Sequence, residues 1–236
     1  MSDFYEEDYL SVKDRKKRSQ KRIKKLQEEG EDINPVATKS RIKIAHSFWG
    51  MAWCRNLESY RDLDYRLDQG RSYLRQDAVV DLQVLKRKVK AQVSGSLLYQ
   101  VEIKFEKLSE SSWNSFVEKC CGEINSILDL LSGKIPDELS KLITDKECGL
   151  FPKSCEIKFS CNCLDYADVC KHVAATLYGI GVVFDKDPSL FFLLRDVDPE
   201  YLMVQISKDF KKKSPDSTSQ KNIENIFDID IVGSDF

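Results

Sequence analysis

Residues 160–184 read SCNCLDYADVCKHVAATLYGIGVVF and place three cysteines and one of the chain's two histidines within thirteen positions. Cys161, Cys163, Cys170 and His172 stand in the order C-x-C-x6-C-x-H, the donor inventory of a closed tetrahedral Zn²⁺ site. The preceding EIKF, residues 156–159, predicts a strand that delivers Cys161 and Cys163 on a tight turn, both sulfurs on the same side. Residues two apart on a regular helix face different ways, so Cys170 and His172 converge only if Cys170 precedes a helix and His172 sits in its first turn. HVAATLYGIGVVF is the apolar run that supplies such a helix, and LDYAD before it is a polar loop. The stretch therefore folds as strand, turn, loop and helix around one metal. Partial positive charge at the helix N-terminus, with Lys171 between the last two ligands, favours thiolates there. Four protein ligands leave no open coordination position, which points to a structural rather than a catalytic ion. A redox dithiol normally has C-x-x-C spacing and has no need of His172.

The remaining composition agrees. The chain has 236 residues, 42% of them hydrophobic, enough for one sizeable core or two small ones. Eight cysteines without an export signal favour reduced thiols over a disulfide framework. No apolar run approaches the roughly eighteen residues of a membrane span, and the N-terminus MSDFYEEDYL is acidic, unlike a secretory signal. A cytoplasmic protein is expected, without membrane attachment.

Charge is balanced overall, 37 basic against 39 acidic residues, but unevenly placed. Residues 13–25, KDRKKRSQKRIKK, carry nine Lys or Arg against one Asp, whereas residues 41–205 carry 22 against 24. A segment so charged and so poor in large apolar groups buries little surface, so residues 1–40 are expected to form a disordered or loosely helical arm. Its cations Arg15, Lys16, Lys17, Arg18, Lys21, Arg22, Lys24 and Lys25 are candidate phosphate contacts, with a solubilising tail as the alternative. Lys86, Arg87, Lys88 and Lys90 form a second candidate patch at the tip of an expected hairpin. At the other end, residues 206–236 read as a flexible tail, a Lys- and Ser-rich linker leading to the alternating acidic and apolar IENIFDIDIV.

Between the tails, Ser47 is a good N-cap for a helix on which Trp49, Trp53 and Leu57 share a face, and the tryptophans read as core anchors rather than a base-stacking platform. VVDLQV, VKAQV and YQVEIKF alternate as the strands of an antiparallel meander, with Val79, Asp81 and Gln83 in step. A helix carrying Trp113, Phe116 and Cys120 runs from a Ser109 cap towards Gly133, and Pro136 opens a short one. The carboxylates Glu58, Asp62, Asp64 and Asp68 in LESYRDLDYRLD alternate with arginines as a solvated face does, which disfavours a metallohydrolase. The phosphate-loop, dinucleotide, nucleophile-elbow and H-E-x-x-H signatures are absent, so the chain is not expected to be an enzyme or to take a small-molecule substrate.

The motif Cys161 to His172 followed by an apolar helix resembles the SWIM zinc finger. FWGMAWCRNLE, GRSYLRQDAVVDLQV, the LSESSW helix, GLFP, SCNC and FDKDPSLFFLLR resemble, in order, segments of bacterial SWIM zinc finger proteins over roughly residues 46–200. The strands and helices read above give an α+β fold with an antiparallel meander packed with helices in residues 41–150, and the resemblance implies a small β-β-α zinc unit, with C-terminal helices, in residues 151–205. It implies Zn²⁺ as the bound ion, ligated by Cys161, Cys163, Cys170 and His172. It further implies an accessory module that contacts DNA, a SWI/SNF-type ATPase partner, or both. The alternative is a purely structural protein-interaction subunit whose zinc stabilises the fold and which binds no nucleic acid. The charged arm departs from the family outline. Residues 155–200 hold a small core by themselves, so this part is expected to depend on the metal for folding.

Overall fold

The computed structural model describes residues 11–40, 42–60, 64–120, 127–146, 149–165, 167, 169–201 and 204. The expected flexible tail at 206–236 and the cysteines Cys121 and Cys148 lie outside the described residues. The elements are α1 (Val12–Glu28), α2 (Phe48–Glu58), α3 (Asp64–Arg75), β1 (Val79–Leu85), β2 (Lys88–Ser94), β3 (Leu98–Phe105), α4 (Glu110–Cys120), α5 (Ile127–Ser132), α6 (Asp137–Ile143), β4 (Ile157–Cys161), α7 (Lys171–Lys186) and α8 (Ser189–Arg195). The fold is α+β, as expected. Among the described residues no helix is long and apolar enough to cross a membrane.

The four strands form one antiparallel sheet in sequence order, β1-β2-β3-β4. Alternation dictates its two faces: along β3, Tyr99, Val101, Ile103 and Phe105 are buried while Gln100 and Lys104 are exposed. β1 breaks the expected alternation of Val79, Asp81 and Gln83. A register irregularity between Val79 and Asp81 shifts the phase, so that Leu82 is buried and the Asp81 side chain accepts from Asn34 N–H at 2.8 Å. At the hairpin tip, Arg87 adopts φ 57° and its carbonyl accepts from Phe105 N–H at 2.9 Å.

Helix α7 lies across the apolar face of the sheet and is buried along almost its whole length. Helices α2 and α3 cover its other side. Ser47 caps α2 by accepting from Gly50 N–H at 3.1 Å, and Asp185 of α7 accepts from the backbone N–H groups of His46 and Ser47 at 2.7 and 2.8 Å. Trp49 and Trp53 are fully buried, which settles them as core anchors; their indole N–H groups donate to Leu130 O and Leu177 O at 2.9 and 2.8 Å. The approach of α3 to α7 is closest at Gly70, where an added Cβ would lie 2.5 Å from the Ala174 carbonyl carbon. Gly70→Ala is therefore expected to force the helices apart, at a cost of about 1–3 kcal/mol typical of overpacking, read as a lowered midpoint in chemical denaturation.

One contiguous cluster of buried residues runs from Val36 through the sheet and α7 to Leu194. The expected boundary at residue 150 is thus no boundary between cores: β4 pairs with β3, and α7 is the central helix of the whole molecule. A strand and a helix drawn from the zinc stretch complete a sheet that begins at Val79 and a core that begins at Val36, which gives residues 155–200 far more burial than they own alone.

Of the two forms expected for the arm, disordered or loosely helical, residues 12–28 take the helical one. They form α1, capped by Ser11, whose side chain accepts from Asp14 N–H at 3.2 Å. The helix docks through polar rather than apolar side chains. Arg22 donates to Ser94 Oγ, Gly95 O, Leu97 O and Ser96 O at 2.7–2.9 Å, Gln20 donates to Asp77 at 2.9 Å, and Lys16 pairs with Asp77 at 3.3 Å. Low apolar content predicted little burial but said nothing of a turn whose carbonyl oxygens converge on one guanidinium.

Candidate metal centre

Each ligand position has a local cause. Cys161 is the last residue of β4, held opposite Val101 by the β3–β4 ladder. The chain then turns sharply, and Asn162 secures the turn by imitating a further strand residue: its side-chain oxygen accepts from Gln100 N–H at 2.9 Å while its own N–H donates to Gln100 O at 3.3 Å. Cys163 follows, and the loop beyond is tied to α3 by an Arg66–Asp165 ion pair at 3.1 Å. Cys170 is the N-cap of α7, its sulfur accepting from Val173 N–H at 3.5 Å, and His172 lies in the first turn. This is the convergence that the C-x-H spacing required.

The four donor atoms all lie within 4.8 Å of one another. The His172 ring turns Nδ1 to the sulfurs, 3.9 Å from Cys161 Sγ and 3.8 Å from Cys170 Sγ. A tetrahedron with Zn–S near 2.3 Å and Zn–N near 2.0–2.1 Å has edges of roughly 3.5–3.8 Å, so the cluster is compact enough to close on a metal ion by drawing its donors together. Cys170 and His172 are buried and the other two cysteines half-buried, so the ion would be largely shielded from water. Three sulfurs and one imidazole are the donor set of structural zinc.

The electrostatics prepare one thiolate. A hydrogen bond from the Cys161 thiol, with help from His172 and the Val173 N–H at the helix start, lowers Cys170 below the ordinary thiol range despite its burial. Cys161 moves the opposite way because its proton is the one donated to Cys170. Cys163 is also raised, by burial first, against a backbone N–H from Asp165.

Two aromatic side chains that local sequence signals do not mark complete the site. Tyr99 of β3 stacks on the His172 ring at 4.0 Å and 23°, and Tyr73 of α3 meets it nearly edge-on at 5.6 Å. Lys171, between Cys170 and His172 in the chain, lies over the Tyr73 ring, 5.3 Å from its centroid. His172 Nε2 is buried and makes no hydrogen bond among the described residues, so the ring is oriented by packing.

Other candidate residues serve elsewhere. Cys54 is buried in the core, where desolvation pushes its thiol up to about 12, and Cys155 is exposed and outside the cluster. Replacement of either by Ser is expected to leave metal content unchanged, as measured by elemental analysis. Glu58 accepts from Arg71 at 2.7 Å and from Tyr178 at 3.0 Å, and Asp68 also pairs with Arg71, a structural use of carboxylates read above as a solvated face. Asp62 lies outside the described residues. Of the basic candidates, Arg18 and Arg22 bind turn carbonyls, Lys16 binds Asp77, Lys24 and Lys25 make exposed ion pairs with Glu28 and Glu29, and Lys17 and Lys21 are exposed. Arg15 is half-buried, lining a small cavity with Tyr73. In the hairpin patch Lys86 pairs with Asp196 at 2.8 Å, Lys88 with Glu102 at 3.6 Å, Arg87 donates to Phe105 O at 3.4 Å, and Lys90 is exposed.

No family model matches the chain. No solved structure matches it either. Among curated proteins, the uncharacterized protein Rv2102 of Mycobacterium tuberculosis is similar, 34% identical over an alignment of 176 positions that covers 72% of this chain. The chain spans 62% of the length of that relative. What stands on geometry and likeness together is an α+β protein with a Cys₃His cluster able to hold a metal ion, similar over most of its length to part of a mycobacterial protein.

Proposed function

We propose that the chain is a cytoplasmic, non-enzymatic accessory module of the SWIM type, built around a structural Zn²⁺, that contacts DNA, a SWI/SNF-type ATPase partner, or both. The observation that carries the zinc assignment is the closed donor set: Cys161, Cys163, Cys170 and His172 within 4.8 Å of one another. Four protein donors saturate zinc, so the ion supplies cross-linking of β4, the loop and α7 rather than a reactive water. The module has no substrate of its own in this reading; its output is binding. For DNA the available cations are Lys17, Lys21, Lys24 and Lys25 along the exposed side of α1. Four phosphate contacts correspond to a log–log salt slope on the order of −4.

A second reading, a protein-interaction subunit without nucleic-acid affinity, is favoured by one feature of α1: Arg18 and Arg22 spend their donors on Gly95 and its neighbours. The test is duplex DNA binding by the full chain at graded salt, beside a variant with Lys17→Glu, Lys21→Glu, Lys24→Glu and Lys25→Glu. The DNA reading expects steep salt dependence and loss of binding in the variant with zinc content intact. Equal binding by both would place the contacts elsewhere. No binding by the unaltered chain at low salt would leave the protein-interaction subunit.

A further inference from the structure

The β2–β3 turn, residues 94–98, directs several backbone carbonyls towards one point. Arg22 fills that point: one terminal nitrogen donates to Ser94 Oγ at 2.9 Å, Gly95 O at 2.8 Å and Leu97 O at 2.7 Å, the other to Ser96 O at 2.8 Å. Arg18 adds a bond to Gly95 O at 3.2 Å. A planar, always-charged fork suits such a cluster of acceptors in a way that a lysine does not. The same turn carries Ser96, whose hydroxyl lies 2.7 Å from the Tyr99 hydroxyl, and Tyr99 is the ring stacked on His172. On its other flank α1 grips Asp77 through Gln20 and Lys16, just past the end of α3, the helix that presents Tyr73 to the same imidazole.

We infer that helix α1 is an outer brace of the metal centre, with Arg22 holding the turn that keeps Tyr99 stacked on the ligating ring of His172. The proposal rests on reading the Cys₃His cluster as a zinc site. Its physical basis is positioning. His172 makes no hydrogen bond through Nε2 among the described residues, and the stacked Tyr99 and edge-on Tyr73 rings hold it with Nδ1 towards the sulfurs. Groups that orient a metal-bound histidine typically affect metal affinity by 10–100-fold. Without Arg22 the turn carbonyls must be hydrated, the turn loosens, and the stacked arrangement of Tyr99 is less populated. Binding linkage is reciprocal, so zinc that holds His172 also holds Tyr99, the turn and α1. The basic segment then acts inward, on the stability of the site, whatever its exposed lysines contact.

The test uses the full chain in two ways. Zinc affinity is measured by competition with a chromophoric chelator for the unaltered chain and for Arg22→Ala, Arg22→Lys, Tyr99→Leu and Tyr99→Phe, with the Co²⁺ spectrum recorded for each. Arg22→Ala, Arg22→Lys and Tyr99→Leu are expected to weaken zinc at least about tenfold, while Tyr99→Phe, which keeps the ring and loses only the Ser96 contact, is expected to weaken it less than Tyr99→Leu. Combining Arg22→Ala with Tyr99→Leu is expected to cost less than the product of the single effects, because both act through one stack. Independently of any substitution, stripping zinc from the unaltered chain is expected to raise amide hydrogen exchange in residues 12–28. Unchanged zinc affinity in Arg22→Ala, or unchanged α1 exchange on zinc removal, overturns the brace while leaving the zinc reading intact. An unaltered chain that binds no zinc overturns the zinc reading and the brace with it.

Discussion

His172→Ala and Cys170→Ser are each expected to lower zinc content from one ion per chain to near zero after dialysis against a moderate chelator. The size of the effect follows from the share of each ligand. Structural zinc sites in small peptides bind with about 10–16 kcal/mol apparent free energy, so one ligand of four accounts for roughly 3 kcal/mol, a loss of about a hundredfold or more. The two variants differ in what else they remove. Cys170 caps α7 through the Val173 N–H, and serine keeps an acceptor at that position, so Cys170→Ser separates metal loss from cap loss. His172→Ala also opens a void beside Tyr99 and Tyr73 and is expected to be the less stable of the two.

Where the damage falls distinguishes the shared core from a self-contained zinc finger. Helix α7 is held along its length by the sheet, α2 and α3, so metal loss is expected to expose the loop between Cys161 and Cys170 to proteolysis while α7 remains helical. Cleavage mapped by mass spectrometry to that loop, with intact tryptophan burial, is the expected pattern. Wholesale digestion of residues 155–200 would show that the metal supports the C-terminal part as a separate folding unit. Full zinc occupancy in both variants would remove the assignment of these ligands.

Trp53→Ala is expected to cost about 3–5 kcal/mol, the range for truncating a fully buried aromatic side chain. Trp53 is fully buried, donates to Leu177 O at 2.8 Å, and has Phe184 edge-on at 5.4 Å and Phe105 at 5.8 Å. It joins α2 to α7 and to the far end of β3, so no single neighbour can collapse into the void. For a protein of this size each kcal/mol shifts the melting midpoint by roughly 2–4 °C, which predicts a drop on the order of 6–20 °C. Trp53→Phe retains most of the packing and is expected to lose less than half as much. A midpoint within 2 °C of the unaltered protein for Trp53→Ala would mean, on that scale, that the side chain contributes little to the core. That outcome would reopen the stacking-platform reading that complete burial argues against.

Much of this molecule was legible in local pattern. The spacing of Cys170 and His172 admitted one solution, a cap followed by a first-turn histidine, and α7 begins accordingly. Ser47 and Ser109 both bond the backbone N–H three residues on, and Gly133 takes a left-handed conformation after α5. Alternation in β2 and β3 predicted which side chains line the core because side-chain direction repeats every two residues in a strand. The same rule failed in β1, where a single irregularity between Val79 and Asp81 reverses the phase without any mark in residue type.

The sequence by itself determined the Cys/His cluster, the caps and the faces of β2 and β3, since each depends on residues within a few positions of one another. Tertiary structure alone decided that β4 and α7 belong to the same core as β1–β3, that Gly70 must be small, and that Tyr99 and Tyr73 meet His172. It also decided that Arg22 binds a turn more than seventy residues away. Backbone carbonyls carry no residue-type signature, and every residue has one. Their convergence on a guanidinium exists only after the β2–β3 hairpin has formed and α1 has come to rest beside it, so a segment that composition marks as solvent-facing is held to the body by acceptors that composition cannot show.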